Sequence, residues 1–301
     1  MISGKRVIAA MLTALMAVTF TANTAVSVYA TGVTATENAQ TIDAQSTDAQ
    51  ALTPEEQKAQ ELQQVYDMPV ESNGYKDWPQ GPGTYGEAGI VMEVGTGAIL
   101  YAKNIDAHEY PARITKVLTA LVALENGQLT DNVTFSHDSV AFLQRGDSSV
   151  GLKEGNVITL DQAMHAMLLA SANEAAYAIG ESVGVNAGHD YNWFIQQMNE
   201  ECKSLGGEDS NFVNANGLHD DNHYTCARDM ALIGREIWRY PEFLKICQEQ
   251  SYTIPASDTT EEHVFPQHHK MLIKENKNYY QYVVAGKTGY TSNALSTLIT
   301  L

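Results

Sequence analysis

Tyr110-Pro111-Ala112-Arg113-Ile114-Thr115-Lys116 is the stretch that decides how this chain is read. Leu118, Leu121, Val122 and Leu124 continue it as an amphipathic helix from about Arg113 to Glu125, ended by Asn126-Gly127. Residues three apart on a helix share a face, so Lys116 lies beside whatever position 113 carries. A lysine whose ammonium form is disfavoured by burial and nearby cations can take a proton from a hydroxyl placed there, freeing it to attack a carbonyl. Position 113 supplies no hydroxyl: a guanidinium stays protonated and has no acyl-accepting oxygen. Thr115 adjoins Lys116, which turns its hydroxyl about 100° around the helix and off that face.

Two later stretches give Lys116 its context. Leu168-Leu169-Ala170-Ser171-Ala172-Asn173-Glu174-Ala175-Ala176 carries a Ser-x-Asn tripeptide at the junction of two helices, and Gly286-Lys287-Thr288-Gly289-Tyr290-Thr291 carries a Lys-Thr-Gly tripeptide. Alone, the first reads as a helix cap and the second as an exposed strand end. In one order and at this length, the three stretches resemble the motif set of the penicillin-binding proteins and serine β-lactamases. The flanking residues narrow the resemblance to the serine-type D-alanyl-D-alanine carboxypeptidases of peptidase family S11, whose first motif reads Pro-Ala-Ser-x-Thr-Lys. Arg113 stands where that serine would be.

The resemblance implies a role for each matching residue. Lys116 takes the position of the general base, Ser171 that of a proton relay to the leaving amine, and Asn173 that of the group orienting the lysine and the substrate amide. Lys287 and Thr288 match the receivers of the substrate's terminal carboxylate, while Gly289 lets the ligand lie against the strand. The backbone amides of Arg113 and Tyr290 match the oxyanion hole, which survives a change of side chain. A fourth stretch, Asn216 to Thr225 followed by Ala227 and Asp229-Met230-Ala231, is also similar to the family. The partner implied is a peptidoglycan stem peptide ending in D-Ala-D-Ala. With position 113 lacking a nucleophile, β-lactams are expected to bind non-covalently if at all. The alternatives are an active hydrolase, a non-catalytic binder of wall peptides, and a truncated inactive product.

Strands at both ends with helices between them give an expected α+β fold, and the resemblance implies its form: a five-stranded antiparallel sheet covered by helices, with a helical subdomain inserted between early and late strands. Gly89 to Val94 and Ala98 to Ala102 flank Gly95-Thr96-Gly97 as a hairpin. Thr159 caps a helix running through Leu169, His189 to Leu205 reads as an amphipathic helix, and Cys226 to Tyr240 as another. Phe212 to Tyr224 reads as a loop, and Tyr279 to Ala285 as a strand delivering the Lys-Thr-Gly motif at its end. The family implies a further strand after Leu301, lying centrally between the hairpin and the third-motif strands, so the domain at 67–301 is expected to be incomplete at its C-terminus.

Lys5 and Arg6 precede an apolar run from Val7 to Phe20 and small residues up to Ala30, the pattern of a secretory leader cleaved after Ala25 or Ala30. The run is shorter than the ~20 residues of a membrane span, so no span is expected in the mature chain. Residues 31–66 read as a polar tether ending in a helical segment from Pro54 to Tyr66. The formal charge of −18, more negative still without Lys5 and Arg6, disfavours nucleic acid and anionic lipid as partners. Location outside the cytoplasm, in the envelope or secreted, follows from the leader. The three cysteines Cys202, Cys226 and Cys247 have no C-x-x-C spacing and read as buried small apolar groups. His219 and His223 are spaced i, i+4, but Gly217 and the surrounding Asn and Asp residues indicate a loop. His263, His268 and His269 read as surface histidines, and neither metal nor cofactor is expected.

Overall fold

The structure is a computed structural model that describes residues 15–22, 52–291 and 294–301. Its strands and helices, in chain order, begin with β1 (Leu15–Ala22), α1 (Pro54–Tyr66), β2 (Ala88–Glu93), β3 (Ile99–Lys103) and α2 (Thr115–Asn126). A helix-rich region follows, with β4 (Asn132–Thr134), α3 (His137–Ala141), β5 (Val157–Thr159), α4 (Leu160–Leu169), α5 (Asn173–Asn186), α6 (Tyr191–Ser204), α7 (Ala227–Ile237) and α8 (Pro241–Gln248). The chain then returns to strands: β6 (Ser251–Ile254), β7 (His263–Pro266), β8 (Ala285–Tyr290) and β9 (Ala294–Thr300). The expected α+β architecture is thus present, with helices lying between early and late strands.

The principal sheet is antiparallel and ordered β3-β2-β1-β9-β8. The central place expected to be vacant is filled by β1, whose Val18 lies opposite Ile90 of β2 on one side and Leu298 of β9 on the other. The sequence reading gives this place to a strand beyond Leu301. The rest of the expected leader at 1–30 lies outside the described residues. The mostly apolar segment Leu15–Ala22 suits a leader core and a strand equally by its composition.

Several elements form for the reasons the sequence displays. The Thr159 hydroxyl accepts from Gln162 N and the Gln162 side chain accepts from Thr159 N, a capping box that starts α4. Asp190 caps α6 through Trp193 N. α1 forms as expected on a Thr53 and Glu56 capping box, yet buries no residue of its own. Its end is still attached: Lys103, fully buried, donates from Nζ to Val65 O at 2.6 Å and Thr84 O at 2.7 Å. α2 runs through the middle, with every residue from Thr115 to Ala123 buried against α4, α5, α6 and α7. α7 lies against β1 and β2, and α8 against β8.

Three further expectations need correcting. Tyr279 to Val284 is not strand: Tyr280 N donates to Met271 O and Val283 N to Tyr280 O, folding the segment into turns. β8 starts only at Ala285, so Lys287, Thr288 and Gly289 lie within it and not at its end. His263 and His269 are buried, His263 with its Nδ1 on Val150 O and His269 against Gly286 of β8, while His268 is exposed. Arg113 lies in a 3-10 turn spanning Ala112–Ile114 that precedes α2, one step short of the helix expected to include it. The three cysteines are buried and unpaired.

Candidate active site

The first and second motifs meet at Lys116. Its Nζ donates to Asn173 Oδ1 at 2.8 Å and to Asn216 O at 2.6 Å, with no part of the side chain exposed. Burial, followed by the neighbouring charges of Lys287 and Arg113, pushes its ammonium well below the ordinary lysine value. Asn173 begins α5, and its Nδ2 is a buried donor with no partner. A buried unpaired amide is costly, so this donor is aimed at something a ligand would bring.

The second and third motifs meet at Lys287, whose Nζ donates to Ser171 Oγ at 3.0 Å and Thr288 O at 3.1 Å. Burial and the charge of Arg113 lower its pKa to about 7. Ser171 occupies the left-handed region at φ 63°, and Ala112, just before Arg113, does so at φ 49°. Neither is glycine, and such strain persists only where surrounding contacts enforce it. At Ala112 those contacts are visible: Ser296 Oγ of β9 donates to Pro111 O at 2.6 Å, and Thr115 Oγ1 donates to Ala112 O at 2.8 Å. Gly289 closes the arrangement, since a Cβ there would fall on Ser296 Oγ and within 2.8 Å of Arg113 N. The strand backbone therefore runs against the Arg113 amide, as an oxyanion site requires.

All eight residues predicted for the site are thereby brought into one constellation: Arg113, Lys116, Ser171, Asn173, Lys287, Thr288, Gly289 and Tyr290. Arg113, Thr288, Gly289 and Tyr290 line an open groove of about 430 Å³ together with His268, His269 and Ser296. The Arg113 guanidinium is half-buried, and burial lowers its pKa against the attraction of Asp147. Thr115 turns away from the groove, as its helical position dictates, to the ring of His223 at 2.9 Å. His223 also accepts from Val213 N on Nδ1, and burial drops its pKa to about 4, which keeps the ring neutral. It holds a loop together.

Some of the site was not visible in the residues. Asn216 acts through its backbone carbonyl, which any residue possesses, and only the placement of its loop against α2 reveals it. Thr119 Oγ1 fixes that loop by donating to Ala215 O at 2.6 Å, and the Tyr191 hydroxyl accepts from Ala215 N at 3.0 Å. His269 was singled out, but as a surface residue. It packs under Gly286 with both ring nitrogens buried and unpartnered, and its pKa falls to about 4.

Residues 79–301 match the family model for peptidase S11, D-alanyl-D-alanine carboxypeptidase. The chain belongs to that family. Relatives include the D-alanyl-D-alanine carboxypeptidase DacF of Bacillus subtilis, 30% identical over 69% of this chain and 51% of its own length. The DacA carboxypeptidase of Haemophilus influenzae is 33% identical over 54% of this chain and 42% of its own. The chain therefore spans about half the length of these curated relatives. Among solved structures, the S11 fold is shared with a D-alanyl-D-alanine carboxypeptidase from Mycobacterium tuberculosis, at a TM-score of 0.60 and 24% identity over 76% of this chain and 86% of that one. The Streptomyces K15 DD-transpeptidase matches at 0.59 and 22% identity, over 69% and 87%. At these identities the structures speak to fold alone.

Proposed function

We propose that this S11 chain binds peptidoglycan stem peptides ending in D-Ala-D-Ala in the groove beside β8, and does so without acyl-enzyme turnover. The unpartnered Asn173 Nδ2 beside Lys116 carries the binding half of this reading, because it leaves a buried donor ready for a ligand carbonyl. Arg113 and Thr288 line the groove and provide a cation and a hydroxyl for the terminal carboxylate, with the buried Lys287 ammonium held behind them on Ser171. Arg113 carries the other half. An acyl enzyme needs an oxygen or sulfur at the point of attack, and the guanidinium offers neither. β-Lactams would then bind without forming a covalent bond.

One observation favours turnover instead. Ser171 Oγ lies 3.0 Å from a lysine whose pKa is near 7, which is a hydroxyl and base in hydrogen-bond contact. Incubation of the full chain with labelled penicillin, followed by peptide mapping, separates the two readings. No covalent label is expected, whereas an adduct on Ser171 would replace silent binding by a rerouted hydrolase. Calorimetry with acetyl-L-Lys-D-Ala-D-Ala should show non-covalent binding that Lys287→Ala removes, and absence of any binding heat or competition would end the binding reading.

We also propose export, carried by the leader-like segment at 1–30. Among the described residues no helix is long and apolar enough to cross a membrane. Eight of the leader residues are those of β1, so export with cleavage and a retained β1 are mutually exclusive for one molecule. The N-terminal mass of the secreted protein decides between them.

A further inference from the structure

The edge of the principal sheet farthest from the Lys-Thr-Gly strand is β3, and a loop covers it in place of another strand. Ser72 Oγ accepts from Ala102 N at 3.1 Å, Glu71 Oε1 accepts from Asn104 N at 3.0 Å, and Trp78 Nε1 donates to Leu100 O at 2.8 Å. These side chains satisfy outward-facing groups of β3 and keep the edge from pairing with another chain. In the order β3-β2-β1-β9-β8 the two edges are about 19 Å apart at ~4.8 Å per strand, so the loop stands away from the groove.

The loop is pinned along its length. Asn73 Nδ2 donates to Gly81 O at 3.1 Å, and Gly81 N returns a bond to Asn73 Oδ1 at 2.6 Å. The Tyr101 hydroxyl donates to Pro82 O at 3.1 Å. Lys103 holds both Val65 O and Thr84 O, which sets the residues after them, Tyr66 and Tyr85, ring beside ring at 5.0 Å. A Cβ on Gly81 would lie 2.7 Å from the Tyr101 ring, and one on Gly83 would lie 2.5 Å from Tyr66 O, so glycine lets the loop lie this close.

What this surface exposes is aromatic and neutral. From residue 66 to 85 the exposed large apolar side chains are Tyr66, Tyr75, Trp78 and Tyr85, with no Leu, Ile or Val beside them. From Ser72 to Tyr85 the charged residues are Lys76 and Asp77, which cancel, in a chain of net charge −18. An anionic lipid surface would call for a cluster of basic residues, and none is present here. Flat rings with polar tips on an uncharged loop suit a partner that is itself uncharged and alternates C–H faces with hydroxyl groups. We infer that this loop is a docking platform for the glycan strand of peptidoglycan, the amino-sugar polymer that carries the stem peptides. Sugar faces lie on Trp78 and Tyr85, and the tyrosine hydroxyls bond sugar hydroxyl and acetamide groups. Tyr and Trp lose little side-chain freedom on binding, and a loop already pinned loses little more. The choice of polymer rests on the stem-peptide reading, while the platform holds the chain to the wall whether or not the groove is filled.

Titration of the full chain with the β-1,4-linked tetramer of N-acetylglucosamine, followed by calorimetry and tryptophan fluorescence, tests the platform. Saturable binding with a change in emission is expected. Trp78→Phe keeps a ring face, so it should retain binding heat and lose the emission change. Tyr85→Ser, at a side chain 57% exposed, should leave the melting curve unchanged and weaken the tetramer about tenfold. Trp78→Ala should weaken it at least as much. Lys287→Ala should not alter tetramer binding, and acetyl-L-Lys-D-Ala-D-Ala should bind the loop variants as it binds the unaltered chain. Absence of saturable tetramer binding, an emission change that survives Trp78→Phe, or affinity untouched by both Tyr85→Ser and Trp78→Ala overturns the platform and leaves the groove reading standing. Tetramer binding by a chain that takes up no stem peptide would uphold the platform and end the groove reading.

Discussion

Lys116 and Lys287 are two buried lysines in one site, and they are held in different ways. Lys116, on α2, is closed in by oxygens from two other segments, Asn173 of α5 and Asn216 of the loop between α6 and α7. Lys287, on β8, bonds the Ser171 hydroxyl and the carbonyl of its own neighbour Thr288, and its strand forms the wall of an open groove. Helical packing thus makes a socket in which proton affinity is tuned, while the sheet sets a buried cation against the Ser171 hydroxyl behind the groove wall. Arg113 interrupts only the first of these devices, because a socket that tunes a base is useless without a hydroxyl to serve.

The largest effect should come from restoring that hydroxyl. Arg113→Ser places an Oγ on the Lys116 face with the Gly289 backbone already against the amide, and acylation by labelled penicillin should rise by about 10³-fold or more. If the serine variant remains unlabelled, Arg113 is not the sole obstacle and the socket is not poised for catalysis.

Next is the support of the strand side. β8 is held by β9, and β9 by β1. In the uncleaved chain, Val18→Pro in the middle of β1 removes a ladder donor and should cost about 3 kcal/mol or more, seen as a clear fall in melting temperature. An unchanged melting curve would show that residues 15–22 do not hold the sheet together.

The comparison of the two lysines can be sharpened by Lys116→Met and Lys287→Met. The first strands Asn173 Oδ1 and Asn216 O, costing about 1–3 kcal/mol for each acceptor left unpaired. The second removes a buried charge as well as a hydrogen bond, so its cost should be smaller. The pH dependence separates them further. With the folded pKa of Lys287 near 7 and the unfolded value near the ordinary lysine 10.5, both states are protonated below pH 7 and the penalty of the buried charge is fully present. Stability from this group should therefore rise as pH increases through that window, and denaturant titrations of Lys287→Met should lack this component. Carboxylate binding has the opposite dependence, since it needs the charged form and should weaken above about pH 7. The smallest effect belongs to Asp106, paired with Arg228 on the surface at 2.5 and 2.9 Å. Asp106→Ala should cost under about 1 kcal/mol, and a larger loss by chemical denaturation would give that pair a role beyond the surface.

How much was readable beforehand differs between these regions. α4 was legible to the residue because its capping box is local chemistry, and the three motifs were legible because their spacing along one helix or strand is local as well. The register of β8 was not, since Tyr279 to Val284 is as β-prone as the strand after it and only the turn against Met271 excludes it. The burial of His263 and His269 was equally hidden: a polar residue in a loop gives no sign of what will pack over it.

The sequence by itself determined the family and the absence of a hydroxyl at position 113, because those depend on residue identity at short spacing. Only the tertiary structure decided that Asn216 caps Lys116 through its backbone, that Lys287 meets Ser171, and that Leu15–Ala22 lies at the centre of the sheet. Each of these is a meeting of segments far apart in the chain. A backbone carbonyl, a hydroxyl's partner and a strand's neighbours are properties of what stands beside a residue, and no residue type encodes them.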